Sequence, residues 1–145
     1  MALETWNQIE VSLSRRRVSE LYTCRDLLPS WSPGFVSLEV LCEGTATRKP
    51  TFRQRYLAMG REIDEVLTLM KNDLPHGLCI VADNGGTLTR ESRISFEEVD
   101  ETTTRLIVRN TFTGEAVPHL VKQVLQDYTQ GFLKTFKSFA EGRED

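Results

Sequence analysis

Histidine is scarce in this chain of 145 residues, with two in all, and cysteine nearly so, with three. His76 lies in a Pro-His-Gly turn and His119 stands before a long apolar-periodic segment. Neither belongs to an HExxH or similar ligand spacing. No metal or other cofactor is expected on this pattern. Cys24, Cys42 and Cys79 are odd in number and contain no CxxC pair. Cys42 and Cys79 sit in apolar, strand-like runs, where a free thiol packs as a small hydrophobe, a usage that favours a reducing cytoplasm. No run approaches the ~18 apolar residues of a membrane-spanning helix. The opening MALETWNQ lacks the basic-then-apolar pattern of a secretion signal, so a cytoplasmic location is expected. Positive charge is not in excess either: the formal net charge is −3, which gives no global attraction for nucleic acid or an anionic membrane. Arg15-Arg16-Arg17 is the only dense basic stretch and reads as a solvated helix face. There is no GxSxG frame and no glycine-rich phosphate loop.

What is present is an ordinary globular composition, 39% hydrophobic and 27% charged, of a length that predicts one domain over 1–145. A chain of this size buries about 70% of its unfolded surface and needs no disulfide or metal to fold. Thr5 to Ser12 alternates as a first strand. Ser14 is a candidate N-cap for a short helix whose Val18, Leu21 and Tyr22 share one face. A second short helical turn over Arg25 to Leu28 is expected to stop at Pro29, and Pro33-Gly34 turns the chain into a strand from Phe35. Six strands follow in all, with Val36, Leu38 and Val40 alternating in the first. Then come Thr51 to Met59, Arg61 to Lys71, Leu78 to Asp83, Leu88 to Val99 and Thr103 to Phe112. Gly60 and Asn84-Gly85-Gly86 mark hairpin turns. After Pro118 the period becomes 3.6: Leu120, Val121, Val124, Leu125, Tyr128, Phe132, Phe136 and Phe139 form the stripe of one helix of about five or six turns, with His119 at its start. A sheet with one apolar face and a single helix with a matching stripe must bury those surfaces together.

Three stretches carry a resemblance to a known family: RVSELYTCRDLLPSWSPGFVSLEVL (17 to 41), FRQRYLAMGREIDEVLTLMKNDLPHGLCI (52 to 80) and SRISFEEVDETTTRLIVRNTF (92 to 112). With the final helix they resemble the SRPBCC superfamily, which includes START lipid-transfer domains, polyketide cyclase/aromatases and plant pathogenesis-related proteins. The likeness covers about Ile9 to Phe139. It implies an α+β helix-grip fold: a curved antiparallel sheet of about seven strands wrapped around the long C-terminal helix, with two short helices after the first strand. Where the family's first helix often carries a tryptophan after its valine, this chain has Ser19.

The period of two places several polar side chains on inward faces. Gln54 accompanies Phe52 and Tyr56; Arg90 and Ser92 accompany Ile94 and Phe96; Asn110 accompanies Leu106, Val108 and Phe112. Buried polar groups must be hydrogen-bonded, so these residues either pair with one another or meet a ligand. Glu65 shares the parity of Ile63 and Leu67; it is a candidate acid, or else a partner of Arg53 or Arg55. His119 is the other weak catalytic candidate. The expected ligand site comprises Trp31, Phe35, Phe52, Gln54, Tyr56, Arg90, Ser92, Asn110, Phe112, Val124 and Tyr128. The expected partner is a small hydrophobic or amphipathic molecule such as a polyketide, lipid, isoprenoid or aromatic, bound by a monomer. Two alternatives use the same fold: a cyclase/aromatase or dehydratase-type enzyme without a metal, and a protein-interaction module like the chaperone-ATPase activators.

Overall fold

The computed structural model describes residues 2–143. Strand β1 (Ala2–Val11) leads to helices α1 (Arg15–Thr23) and α2 (Leu28–Trp31), then to six consecutive strands. These are β2 (Phe35–Cys42), β3 (Thr51–Ala58), β4 (Arg61–Asp73), β5 (Gly77–Asp83), β6 (Thr89–Asp100) and β7 (Thr103–Thr113), and helix α3 (Lys122–Glu141) ends the described chain. All strands form one antiparallel sheet in the order β1-β7-β6-β5-β4-β3-β2. Each strand from β2 to β7 neighbours the next in sequence, whereas β1 and β2 lie at opposite edges. The chain must therefore cross the sheet between them, and α1 and α2 make that crossing.

Local chemistry sets the element ends. Ser14 Oγ accepts from Arg17 N at 3.3 Å and caps α1, which satisfies one of the helix's unpaired N–H groups. The second short helix departs from expectation. A 3-10 turn over Arg25–Leu27 runs straight into α2, and Pro29 lies in the first turn of α2 rather than ending a helix. A first-turn N–H has no helical partner to lose, so proline starts a helix there at little cost. Trp31 is thus a helical residue, not part of a loop between two prolines. Strand β1 begins at Ala2, earlier than Thr5, because β7 is long enough to pair Ala2 with Thr113. A bulge between Phe35 and Ser37 also changes the reading of β2. It gives Phe35, not Val36, the face of its partner Tyr56, and Val36 is left 45% exposed.

The core lies between β6, β7 and β1 on one side and α1, α2 and the C-terminal half of α3 on the other. Val11, Val18, Leu21, Trp31, Ile94, Phe96, Leu106, Val108, Leu133, Phe136 and Ala140 form one buried cluster. Trp31 packs edge-on against Phe136 at 4.8 Å and Phe132 at 5.1 Å between ring centroids, and Tyr22 lies 5.1 Å from Phe136. Burying one such ring stabilises the fold by about 1.5–3 kcal/mol. Ser19 is buried on α1 and its hydroxyl donates to Arg16 O at 2.9 Å, so a small, satisfied residue fills the place where a tryptophan is common in the resembling family.

Helix α3 is tied to β1 along one side. Asn7 Nδ2 donates to Gln126 O at 2.9 Å and to Gln130 Oε1 at 3.0 Å. Gln130 Nε2 donates to Gln8 O, Lys137 Nζ donates to Glu10 O, and Ser12 N donates to Glu141 Oε2. Gly131 faces open space, with nothing near the position a Cβ would take, so it permits no close approach of another element. Among the described residues no helix is long and apolar enough to cross a membrane.

Candidate ligand-binding site

Cross-strand partners share a face, so the register defines the inward rows of the sheet. One row runs Val40, Phe52, Leu67, Ala82, Arg90 and Phe112, and a second runs Leu69, Ile80, Ser92, Asn110 and Thr5. Gln54 and Glu65 are paired inward neighbours on β3 and β4, beside Leu38 on β2.

A polar track crosses these rows. Glu65 Oε1 accepts from Gln54 Nε2 at 3.1 Å and from Arg90 Nη2 at 3.0 Å, while Glu65 Oε2 accepts from Arg90 Nη1 at 3.3 Å. Arg90 Nη1 also donates to the Tyr56 hydroxyl at 3.4 Å, and Arg90 Nε donates to Ser92 Oγ at 3.0 Å. Ser92 Oγ in turn donates to Asn110 Oδ1 at 2.6 Å. The Arg90 and Glu65 side chains keep only 22% and 6% of their surface. They sit on β6 and β4, with β5 between them, and Arg90 lies opposite the small, buried Ala82 of that strand. Breaking such a buried pair by removing one partner costs about 3–5 kcal/mol, because the other charge is then left uncompensated.

The structure thus resolves both polar expectations. The inward polar residues pair with one another, and Glu65 pairs with Arg90 rather than with an arginine of β3. Arg53 and Arg55 face outward and bind Asp64 and Glu62 instead. Every Glu65 oxygen is occupied by a donor, which makes it an anchor for Arg90. The other catalytic candidate, His119, lies in an exposed 3-10 turn, Val117–His119, and not on α3. The extended Leu120 and Val121 separate that turn from the helix. No side-chain hydrogen bond joins His119 to the polar track among the described residues.

Of the three tyrosines of the chain, Tyr56 is bonded to Arg90 and the other two feel its charge. Burial pushes the Tyr22 hydroxyl well up in pKa, and the Arg90 charge opposes that rise. Tyr56 is raised in the same way by burial, again against Arg90, with Glu65 adding to the rise. Tyr128 is pushed up to about 12 by burial first and by Tyr56 and Glu65 in addition. Arg90 itself loses solvation by burial, yet Glu65 and Tyr56 more than offset that loss and hold it firmly protonated. The Tyr22 and Tyr128 hydroxyls have no hydrogen-bond partner among the described residues. Sequence reasoning placed Tyr22 on the stripe of α1 but not in the site; the crossing of α1 over the sheet sets its ring against Phe96 and Phe136 and within reach of the Arg90 charge.

Apolar surroundings differ on the two sides of this track. Inward residues of β6 and β7 such as Ile94, Phe96, Leu106, Val108 and Phe112 are buried. Most of those of β2 to β5, including Phe35, Leu38, Phe52, Leu67 and Leu69, keep accessible surface, as does Ile80 beside the core cluster, while Ala58 and Ala82 are buried. The same contrast runs along α3: Leu133, Phe136 and Ala140 are buried, Leu125 and Tyr128 are partly accessible, and Val124 is 48% exposed. Trp31 and Phe112 therefore belong to the closed core, while Phe35, Phe52, Tyr56, Tyr128 and Val124 border accessible space. Two open depressions lie elsewhere, one of about 240 Å³ between α1 and the Leu74-Pro75 turn, the other of about 400 Å³ beneath the β2–β3 loop. Among the described residues no group of three or more His, Cys, Asp and Glu is arranged to hold a metal ion.

No protein-family model matches this sequence, and no curated protein does. Solved structures do match. A START superfamily protein from Mycobacterium smegmatis aligns over 97% of this chain and 95% of its own, with a TM-score of 0.75 at 15% identity. The Zhui aromatase/cyclase from Streptomyces sp. R1128 aligns over 97% and 94%, with a TM-score of 0.73 at 14% identity. Norcoclaurine synthase from Thalictrum flavum, in complex with dopamine and hydroxybenzaldehyde, aligns over 100% and 90%, with a TM-score of 0.70 at 13% identity. Element order, a seven-stranded antiparallel sheet and a long C-terminal helix, together with these likenesses, show that this chain has the helix-grip fold of SRPBCC-type proteins.

Proposed function

We propose that the protein binds a small, mostly apolar molecule between β2–β5 and the N-terminal half of α3. The observation that carries this reading is the run of inward apolar side chains on β2–β5, Phe35, Leu38, Phe52, Leu67 and Leu69, that stay only partly buried around an internally paired polar track. Apolar surface removed from water stabilises a complex by about 25 cal/mol per Å², and Phe35, Leu38, Phe52, Leu67, Ile80 and Tyr128 offer such surface. Norcoclaurine synthase, of the same fold, is seen with aromatic molecules, which supports an aromatic or similarly flat ligand. A binding protein suits the site better than a general acid-base catalyst, because Glu65 is held by three donors and His119 lies outside the track.

Nile red, an uncharged dye whose emission rises in apolar surroundings, tests the proposal. It is expected to bind one to one, and Phe52→Asp together with Leu67→Asp is expected to weaken it by at least about tenfold by placing charge on an apolar surface. Undiminished binding to a folded double variant would rule out this location.

A further inference from the structure

The polar track has an unusual balance of charge and hydrogen-bonding capacity. Its one cation, Arg90, is already neutralised by its one anion, Glu65, at 3.0 Å. The remaining members, Gln54, Tyr56, Ser92, Asn110, Tyr22 and Tyr128, are uncharged in neutral water, and the tyrosines are held that way by burial.

Donors and acceptors are unequal. A guanidinium carries five N–H groups. Four are engaged, by Ser92, by Tyr56 and by the two oxygens of Glu65, which leaves one Nη2 N–H. The Tyr22 and Tyr128 hydroxyls and the Asn110 amide nitrogen also have no acceptor among the described residues. Of the acceptors, both Glu65 oxygens and Asn110 Oδ1 are taken, whereas Gln54 Oε1 receives no donor among the described residues and the two tyrosine hydroxyls can accept as well as donate. Among the described residues, the unused groups that can only donate, the Arg90 Nη2 N–H and the remaining Asn110 and Gln54 amide hydrogens, outnumber the one that can only accept, Gln54 Oε1.

We infer that the site takes an uncharged molecule whose polar end presents an acceptor oxygen, a carbonyl above all, and that it rejects a carboxylate of the same shape. This rests on the binding reading above and adds the class of ligand. A carbonyl oxygen entering beside Arg90 accepts from the free N–H and the tyrosine hydroxyls without adding charge. A carboxylate would bring a second anion to a place where Glu65 already compensates the only cation, and it would be desolvated there. Glu65 therefore serves two ends: it holds Arg90 in position, and it cancels the attraction that a free arginine would exert on anions.

The test is displacement of bound Nile red at neutral pH by three probes of one apolar body: 2-acetylnaphthalene, 2-naphthoate and 2-ethylnaphthalene. The ketone is expected to displace the dye at least about tenfold more effectively than the carboxylate. Glu65→Gln, which removes the anion, is expected to narrow or reverse that preference. Tyr22→Phe and Tyr128→Phe are each expected to weaken the ketone by about threefold to tenfold and leave 2-ethylnaphthalene unchanged, a distinction that a general loss of packing would not produce. The wild-type comparison stands even if Glu65→Gln fails to fold. Equal or tighter displacement by the carboxylate overturns the inference, as does Nile red binding that none of the probes displaces. Absence of Nile red binding overturns the binding proposal itself, and the inference with it.

Discussion

The sheet is sealed on one side of Arg90 and unsealed on the other. Toward β7 and β1, inward side chains meet α1, α2 and the last turns of α3, and residues such as Phe96, Leu106, Leu133 and Phe136 lose essentially all contact with water. Toward β2, strands of the same alternating pattern present Leu38, Phe52, Leu67 and Ile80 to partly accessible space. The strands alone do not make this difference. It follows from the helices, since α3 is bonded along β1 and the crossing helices cover the same end. One half of the grip is therefore committed to stability, and the other half is left with apolar surface that a ligand can cover.

Truncation on the two halves is the sharpest way to break this contrast. Phe136→Ala is expected to cost about 3–5 kcal/mol, because it removes a fully buried ring and leaves a cavity. Phe52→Ala, in a partly accessible position, is expected to cost about 1 kcal/mol or less. Denaturant midpoints measure both, and similar costs would mean that β3 is core like β6. At the boundary, Arg90→Met is expected to destabilise by about 3 kcal/mol or more through the stranded Glu65, and a Glu65→Gln/Arg90→Met double variant is expected to recover much of that loss. A double variant no more stable than Arg90→Met alone would mean that Glu65 is not the charge that matters.

The smallest effect expected is optical. Unfolded tyrosines ionise near pH 10, while burial raises all three here, Tyr128 to about 12. Between those values the native state keeps protons that the unfolded chain has released, so stability is full below about pH 10 and falls as pH rises above it. At about pH 11 the tyrosinate absorbance is expected to be smaller in the folded protein than after denaturant unfolds it. A full signal from the folded protein would place the tyrosines in water.

Period and parity make much of this legible in the sequence. Alternation located the strands of the sheet, the 3.6-residue stripe located α3, and parity alone turned Gln54, Glu65, Arg90, Ser92 and Asn110 inward. What parity could not give was distance across the sheet. Glu65 and Arg90 are 25 residues apart in sequence and separated by a whole strand, yet their side chains meet across it. The partners suggested by sequence proximity, Arg53 and Arg55, point the other way. Pro29 and the bulge at Phe35 misled for a related reason: each is a single residue whose effect depends on whether it starts or interrupts an element. The candidate site was legible as a set of faces; its division into sealed and accessible halves was not, since that depends on where α3 is fastened.

The fastening of α3 also bears on how copies of the chain behave toward one another. An open sheet offers two raw edges, each a template for another strand. At β1 the side chains of Gln130 and Lys137 already occupy the carbonyls of Gln8 and Glu10. At the opposite edge, β2 is irregular at both ends, with register shifts after Phe35 and after Val40. Both borders thus carry features that interrupt a further ladder, side chains of α3 on the carbonyls at the C-terminal end of β1 and register shifts in β2.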